Sequence, residues 1–408
     1  MQGEGTGSIS IIGGTYREIC NAYLGWNRVF GSGLRSLLLY RAFGASQGLK
    51  FYSCCHETLH SLPYKYRGDG ITFGLTEGPD VCFNYEHPFR VSAISPQLNY
   101  LYAHQQKIDV KDENVVVFGM LDAKFHVEAE RAVYDPQTAV MPELFSKCSK
   151  AKQLVYVLNM TEAKSLSGAN NIDDIKVFFF DKEKCYALII KNGAKGAILY
   201  QHKDDQGILI PVYKTNHVFT IGSGDIFTST FSYFWFHGID LETSALNASK
   251  SAACYSESSG DIDKIPAFLD NFDFPALIPS KEYKQIYLAG PFFSFGQKWI
   301  VNEFYFALKS EGMRVFSPLH DVGIGEPNEV VPLDLNGLNN SDIVLAILDG
   351  VDAGTVFEVG YAIAKGKKVV VYVENTNPNS LTMLKGTHCD LENDFTTAVF
   401  KACWYAAE

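Results

Sequence analysis

Apolar runs of strand length alternate with segments of helical period along most of this sequence. An early run, ISIIGG from Ile9, is followed by the helical pattern LRSLLLYRAFG, which ends at Gly44. Later runs, LVYVLN at 154–159 and CYALIIK at 185–191, continue the alternation. This arrangement is typical of α/β proteins built on a mostly parallel sheet. We therefore predict an α/β fold.

One segment interrupts the alternation. Between Asp261 and Lys284 the chain is rich in Pro and charged residues and has no sustained period, and the strand pattern IYLAG begins directly afterwards. The length of 408 residues also exceeds what one hydrophobic core usually serves. We predict two domains, residues 1–275 and residues 282–408.

The second domain has the pattern of a small doubly wound parallel sheet of the flavodoxin/Rossmann-like kind. We predict strand 286–289, helix 297–310, strand 314–317, an irregular loop, strand 343–348, helix 356–365 and strand 368–373. In such sheets ligands bind beyond the carboxyl ends of the strands.

Composition and charge limit the partners. The chain is 47% hydrophobic and 20% charged, as expected for a folded globular protein. Its net charge of −11 opposes an extended grip on nucleic acid. From the sequence we expect neither an export signal nor a membrane span, and the nine Cys lack metal-ligand spacing. We expect a cytoplasmic protein that binds neither nucleic acid nor membrane and ligates no metal directly.

Acidic residues gather near predicted strand ends of the second domain, among them Asp334, Asp352 and Glu358. Gly354 and Thr355 suggest a helix entrance, which would put Glu358 in the first turn, where the helix dipole favours an ionised carboxylate. Breaking an N-glycosidic bond needs one carboxylate at the anomeric carbon and a second acid near the departing base. This cluster therefore predicts chemistry of that kind, although a helix-start carboxylate can also be purely structural.

The motifs YLAGPFF, DLNGLNNSDIVLAILDG and DAGTVFEVGYA follow one another within residues 284–390. In order and spacing they resemble the nucleoside 2-deoxyribosyltransferases and related deoxynucleotide N-hydrolases. The resemblance implies that Glu358 is a nucleophile that forms a deoxyribosyl ester, and that Asp334 binds the sugar and assists protonation of the base. It implies no cofactor for this domain.

The same resemblance suggests further site residues. Asp352 matches the acid before the nucleophile's helix, Tyr287 matches an aromatic residue beside the nucleophile, and Gly290 would contact substrate. In that family an Asn and a Met of a neighbouring subunit complete the site. Asn379 and Met383 are the candidates here, and their spacing departs from the family pattern. A homo-oligomer is therefore expected.

The first domain contains a glycine turn before a helical pattern, VFTIGSGDIFTSTF. Amides of Gly222, Ser223 and Gly224 at a helix N-terminus can bind developing phosphate charge, while Asp225 can take a proton from a substrate hydroxyl group. The pattern is typical of phosphoryl transfer.

Further motifs accompany this turn, namely IIGGTYREI, GSGLRSLLLYRAFG, YDPQ, LNMTEA and KNGAKGA. Together they resemble the PfkB (ribokinase-like) carbohydrate and nucleoside kinases over residues 8–265. The resemblance implies a ribokinase-like α/β domain, ATP as a ligand, Asp225 as the catalytic base, and Asn159 with Glu162 organising Mg²⁺ through water. Where that family commonly has a substrate-binding Asp after the first glycines, Glu18 stands nearest.

Three functions remain open from the sequence. The chain could be a bifunctional enzyme that cleaves or transfers the N-glycosidic bond of a deoxynucleoside or deoxynucleotide and phosphorylates a nucleoside or sugar. Alternatively, the kinase-like domain could be a nucleotide sensor that regulates the glycosidase, for instance in a nucleotide-depleting defence response. A purely structural role is the third. Transfer and hydrolysis share a covalent intermediate, so the sequence does not separate them.

Overall fold

A computed structural model describes residues 7–23, 25–45, 47–56, 61, 65, 69–137 and 142–408. The chain divides into two compact units, each described below by itself. The first contains Met1–Asn192, Gly196–Ile210 and Phe219–Asp273, and the second contains Gly193–Lys195, Pro211–Val218 and Phe274–Glu408. The domain bounds 1–275 and 282–408 stay a prediction, and residues 1–6, where we expect no export signal, lie outside the described part.

The strands described in the first unit form two sheets. They are β1 (Ile9–Ile12), β2 (Arg17–Cys20), β3 (Trp26–Val29), β4 (Leu49–Cys55), β5 (Thr72–Glu77), β6 (Cys82–Tyr85), β7 (Ala93–Ser95), β8 (Gln106–Phe118), β9 (Ala123–Asp135), β10 (Lys150–Asn159), β11 (Ala187–Lys191), β12 (Ala197–Tyr200) and β13 (Ile208–Ile210). Among the described residues the larger sheet has the order β13-β12-β11-β10-β9-β8-β1-β4-β5, parallel except at β11–β12 and β12–β13. The smaller sheet has the order β3-β2-β6-β7.

Helices cover both faces of the larger sheet. They are α1 (Gly31–Ala42), α2 (Leu98–Ala103), α3 (Met160–Ser167), α4 (Ile172–Val177), α5 (Ser223–Phe236), α6 (Leu241–Glu257) and α7 (Ile265–Asp270). Leu37 of α1 and Phe231 of α5 belong to the core on one face, and Ala163 of α3 and Ile175 of α4 to the core on the other. This unit therefore has the predicted ribokinase-like α/β architecture.

The second unit is a separate α/β layer structure. Its strands are β14 (Val212–Tyr213), β15 (Ala276–Leu277), β16 (Gln285–Ala289), β17 (Arg314–Phe316), β18 (Ile343–Ile347), β19 (Lys368–Tyr372) and β20 (Asp390–Glu392). Its helices are α8 (Phe295–Ser310), α9 (Pro327–Asn340), α10 (Ala353–Ala364), α11 (Thr382–Lys385) and α12 (Phe395–Ala407). The main sheet has the order β17-β16-β18-β19-β20 and is parallel throughout. This is the flavodoxin-like doubly wound order, so the predicted fold class is confirmed.

Side-chain alternation along the strands separates the two faces of this sheet. Tyr287 of β16 belongs to the core that contains Leu338 of α9 and Val359 of α10. On the opposite face Phe304 of α8 contacts Phe395 of α12, with ring centroids 4.4 Å apart. Tyr287 therefore lies on the side of the sheet that α9 and α10 cover.

Part of the predicted secondary structure was wrong. The segment before β18 was predicted as an irregular loop, yet it contains the fourteen-residue helix α9. Pro332 lies inside this helix, and Gly337 and the Asn residues near its end have low helix propensity, so local sequence hides it. Burial of Leu338 in the core stabilises the helix despite these residues. Strand β20 and helix α12 were also not predicted.

Within the described ranges, every helix falls short of the length and apolar character that a membrane crossing requires.

Candidate active site

The helix that carries Glu358 is fixed at its start by Asp352. The Asp352 carboxylate accepts hydrogen bonds from the Thr355 amide at 2.9 Å and the Thr355 hydroxyl group at 3.1 Å. Because α10 begins at Ala353, Glu358 is its sixth residue and lies in the second turn. The prediction that Glu358 occupies the first turn was therefore wrong, since the helix begins at Ala353, three residues before the predicted start at Val356.

Glu358 and Tyr287 form the centre of this site. The Tyr287 hydroxyl group donates a hydrogen bond of 2.6 Å to Glu358 Oε1. Burial raises the pKa of Glu358 to about 7, Tyr287 opposes this rise, and the negative charges of Asp334 and Asp352 add to it. We expected the helix terminus to favour the ionised carboxylate, but burial dominates. The pKa of Tyr287 is raised by burial and by Glu358.

Asp334 reaches the same side of the sheet from α9. Its Oδ1 atom is buried and has no hydrogen-bond partner within the described structure. Burial raises the pKa of this carboxyl group. Asp334 also contributes to the pKa shifts of both Glu358 and Tyr287, so the three side chains share one electrostatic environment.

Two residues that the sequence reasoning missed support this arrangement. The ring of Phe316, at the end of β17, stacks on Tyr287 with a centroid distance of 5.6 Å and an interplanar angle of 15°. Gly337 of α9 lies against the same ring, because a Cβ atom built on it would be 2.2 Å from Phe316 Cε1. A glycine inside a helix was the available sequence signal for this close approach.

The remaining predicted residues of the second unit are not all near Glu358. Gly290 follows β16 directly, and a Cβ atom built on it would lie 3.2 Å from Ile347 at the end of β18. These two strands flank the switch point of the sheet. Asn379 and Met383 are exposed on the Pro378–Leu381 turn and on α11, and the structure records no contact between either and Glu358 in the described residues.

The first unit contains a cavity of about 430 Å³. The residues of the glycine turn, Gly222, Gly224 and Asp225, line it together with Glu18. Gly222 has a φ of +81° before α5 begins at Ser223, a left-handed conformation that favours glycine. The Ser223 amide donates to the Thr220 carbonyl oxygen at 3.0 Å, whereas the amides of Gly224 and Asp225 have no acceptor inside the helix, so this end is a suitable place for an anion.

Asp225 is buried and engaged in an ion pair. Its Oδ2 atom lies 2.5 Å from Nη1 of Arg35, a residue of α1 that the sequence reasoning did not single out. Its Oδ1 atom accepts a hydrogen bond of 3.0 Å from Gln137. Burial raises the pKa of Asp225, whereas Arg35 lowers it. Arg35 also pairs with Glu18 at 2.7 Å.

Asn159 and Glu162 form a capping box at the start of α3. The Glu162 amide donates to Asn159 Oδ1 at 2.9 Å, and the Asn159 amide donates to Glu162 Oε2 at 2.8 Å. Burial, and then the charge of Asp135, raise the pKa of Glu162 to about 7, while Lys191 opposes the shift. Within the described ranges no group of three or more His, Cys, Asp and Glu side chains is placed to hold a metal ion.

The two folds and the two groups of residues define a chain that joins two enzyme-like α/β units. Residues 286–395 match the sequence profile described as nucleoside 2-deoxyribosyltransferase. Residues 123–267 match the profile described as pfkB family carbohydrate kinase. The predicted fusion of these two kinds of domain is therefore confirmed, and both matched families are enzymes.

One curated protein and two solved structures are among those to which parts of this chain are similar. A 5-dehydro-2-deoxygluconokinase of Listeria innocua is 33% identical over 112 residues, which cover 26% of this chain and only 34% of that protein. Ribokinase from Thermotoga maritima is 17% identical, with a TM-score of 0.47 over 65% of this chain and 99% of that one. Ribokinase from Giardia lamblia is 14% identical, with a TM-score of 0.49 over 66% of this chain and 100% of that one.

Proposed function

We propose that the second unit breaks the N-glycosidic bond of a 2′-deoxynucleoside or deoxynucleotide, with Glu358 as the nucleophile. The observation that carries this proposal is the 2.6 Å hydrogen bond from Tyr287 to Glu358 beside Asp334. Tyr287 belongs to β16, which together with β18 flanks the switch point of a doubly wound sheet, where ligands of such folds bind. The match to the deoxyribosyltransferase profile supports the same reaction class.

The proposed reaction has two steps. In the first, a Glu358 carboxylate oxygen bonds to C1′ of the sugar as the bond from C1′ to the base nitrogen breaks. The base leaves with that electron pair and takes a proton from Asp334, whose raised pKa suits an acid. In the second, water or another base attacks C1′, loses a proton and releases the Glu358 carboxylate.

Asp352 and Tyr287 have supporting roles in this scheme. Asp352 holds the start of α10 through Thr355 and so positions the helix that carries Glu358. Tyr287 orients the nucleophile by its hydrogen bond and stabilises the ionised form. We propose that Gly290 leaves room beside them for the sugar.

Base release is the direct test of this proposal. Deoxynucleosides and deoxynucleotides are incubated with the wild type and with Glu358→Gln, and free base is measured by liquid chromatography. We expect the wild type to release free base, and Glu358→Gln should reduce the rate of this release at least a thousandfold. Mass spectrometry of the wild type should also show the added mass of one deoxyribosyl group on a peptide from α10. The absence of both signals with every deoxynucleoside and deoxynucleotide would disprove the proposed activity. A second base added to the reaction separates transfer from hydrolysis.

For the first unit we propose a ligand-binding site of the kinase type, with two candidate functions. The first is ATP-dependent phosphorylation of a nucleoside or sugar with Asp225 as the base; the match to the kinase profile supports it. Asn159 and Glu162 offer the oxygen atoms that suit Mg²⁺ held through water. Asp225 pairs with Arg35 at 2.5 Å, however, and this ion pair has to open before Asp225 can act as the base.

The second candidate is a nucleotide- or nucleoside-sensing domain that regulates the glycosidase. The ion pair between Arg35 and Asp225 favours it, because it occupies the proposed base. ATP consumption that persists in Glu358→Gln and disappears in Asp225→Asn would support the kinase. Ligand binding without turnover would support the sensor.

A further inference from the structure

A buried arginine of α1 lines the cavity in the first unit. Arg35 has a relative exposure of 1%. Its guanidinium group contacts Glu18 at 2.7 Å, Asp225 at 2.5 Å and the Tyr255 hydroxyl group at 3.2 Å. A guanidinium with two carboxylates this close is already neutralised, and it has little attraction left for an anionic ligand.

Arg35 also occupies space at the entrance of α5. A Cβ atom built on Gly222 would lie 2.2 Å from Arg35 Cζ, so the guanidinium group rests directly on this glycine. The amides that follow Gly222 are the ones that would receive a transferring phosphate. Arg35 fills the space on the Cβ side of Gly222, and the Ser223 amide already donates a hydrogen bond to the Thr220 carbonyl oxygen at 3.0 Å.

The ion pair further opposes proton transfer to Asp225. A general base must point a lone pair at the substrate hydroxyl group and must accept its proton. Asp225 is held between Arg35 on one oxygen and Gln137 on the other. Protonation would leave the buried Arg35 with one carboxylate partner fewer, which is unfavourable away from water.

The remaining walls of the cavity suit an uncharged, partly aromatic ligand. Phe83 lies between Tyr16, at a centroid distance of 5.4 Å, and Tyr85, to which it is nearly parallel at 16°. Flat rings of this kind stack on a nucleobase. The charged lining consists of three acids and two cations, namely Glu18, Glu143, Asp225, Arg35 and Lys124. Glu143 pairs with Lys147 at 3.0 Å and the other two acids pair with Arg35, so these carboxylates are neutralised and can accept hydrogen bonds from sugar hydroxyl groups.

We propose that Arg35 is a built-in counter-ion of Asp225, and that this cavity retains an uncharged nucleoside without phosphorylating it. The proposal rests on the ligand-binding function proposed for the first unit, and it adds the ligand class and the residue that prevents turnover. Arg35 is a positioning residue in this scheme, since it acts through Asp225.

Binding is tested first, in full-length Glu358→Gln so that the ligand is not consumed. Isothermal calorimetry with deoxynucleosides and with their 5′-monophosphates should show, besides any binding at the second unit, one further event in which the nucleoside binds at least tenfold more tightly than its monophosphate. Ile94→Trp fills the cavity from β7 and should abolish that event, whereas Ile94→Leu should retain it. Tighter binding of the monophosphate in that event, or binding curves that are the same for Ile94→Trp and Ile94→Leu, overturns the proposal.

Phosphoryl transfer is tested next, by mass spectrometry of nucleosides incubated with ATP and Mg²⁺. The wild type should give no ATP-dependent product. Glu18→Gln combined with Arg35→Met removes one charge of each sign, so the buried charge stays balanced, and a Gln can still accept the Gly31 amide that Glu18 binds at 3.1 Å. This variant should form product at least ten times faster than the wild type, and Asp225→Asn should abolish the gain.

The alternative outcomes separate the proposals. Nucleoside phosphorylation by the wild type that Asp225→Asn abolishes would overturn the role of Arg35 and support the kinase. Failure of the double variant to gain activity, while its nucleoside binding persists, would also overturn that role. The glycosidase proposal is tested separately, because base release by the wild type depends on Glu358. If the wild type releases no base, only the glycosidase proposal fails.

Discussion

At the scale of single residues, Glu358 combines burial with a nucleophilic role. A nucleophile must be ionised, and burial raises the pKa of Glu358 to about 7. The Tyr287 hydrogen bond is the contact that lowers this pKa. Tyr287 therefore both aims the carboxylate and increases the fraction that is ionised near neutral pH.

This combination predicts the pH profile of base release. Activity should fall about tenfold for each pH unit below 7, because only ionised Glu358 attacks. Removing the hydrogen bond in Tyr287→Phe should move this acidic limb to higher pH by about one unit. Rates between pH 5 and 9 measure the effect, with Tyr372→Phe as a matched control, since that tyrosine binds Glu374 instead. An unchanged limb in Tyr287→Phe would contradict the assignment of the limb to Glu358.

The same shift predicts how stability depends on pH. The folded chain holds the Glu358 proton more tightly than the unfolded chain, so this group costs stability as pH rises from 4.5 to about 7. Above pH 7 the full cost is ~3 kcal/mol. Glu358→Gln removes it, so the variant should be more stable by roughly that amount at pH 8 and by less than ~1 kcal/mol at pH 5. Urea unfolding at both pH values measures this, and an equal gain at both would refute the shift.

At the scale of elements, the site depends on the close packing of α9 against β17. Gly337 touches the Phe316 ring, and Phe316 stacks on Tyr287. A side chain at position 337 must displace that ring and disturb the tyrosine that aims Glu358.

Gly337→Ala should therefore destabilise the chain by about 1–3 kcal/mol and lower base release, because the added methyl group overpacks a filled space. Gly360→Ala is the matched control, since it lies in α10 with no neighbour within 4 Å of its built Cβ atom among the described atoms. That change should stabilise the chain by about 0.5–1 kcal/mol, as alanine favours the helix. Chemical denaturation measures the free energy of unfolding of both variants. Equal changes in that free energy would exclude a specific contact between residue 337 and Phe316.

The sequence predicted the elements whose patterns are local. Strands β16 and β18 and helices α5 and α10 have clear apolar periods with glycine or acidic boundaries, and the structure has them. Helix α9 was missed because Pro332 and Gly337 weaken its pattern and only tertiary packing stabilises it. Arg35 was missed for a related reason: it lies 190 positions from Asp225, and such long-range pairing leaves no local signal.

At the scale of the whole molecule, several large apolar side chains of the second unit are exposed. Phe295, Ile324 and Met383 have relative exposures of 87%, 80% and 82%. Exposed apolar groups of this size mark interaction surfaces when they cluster. The proposed occupant is a second copy of the chain, because Met383 is the candidate here for the Met that completes a neighbouring site in the resembling family, although its spacing departs from the family pattern. We propose that Asn379 acts from the same segment.

A shared site makes a specific prediction for mixtures of inactive variants. Met383→Asp and Glu358→Gln should each lose base release, the first because its partner's site is incomplete and the second because its own nucleophile is gone. When the two are unfolded together and refolded, random pairing should make roughly a quarter of the sites complete in an isologous dimer. Glu358→Gln mixed with Asp334→Asn is the control, because both changes affect the same chain's site and no pairing restores it. Recovery of base release in the first mixture alone, together with an oligomer in light scattering, would establish the shared site. A monomer in light scattering, or full activity of Met383→Asp, would show that each chain works alone.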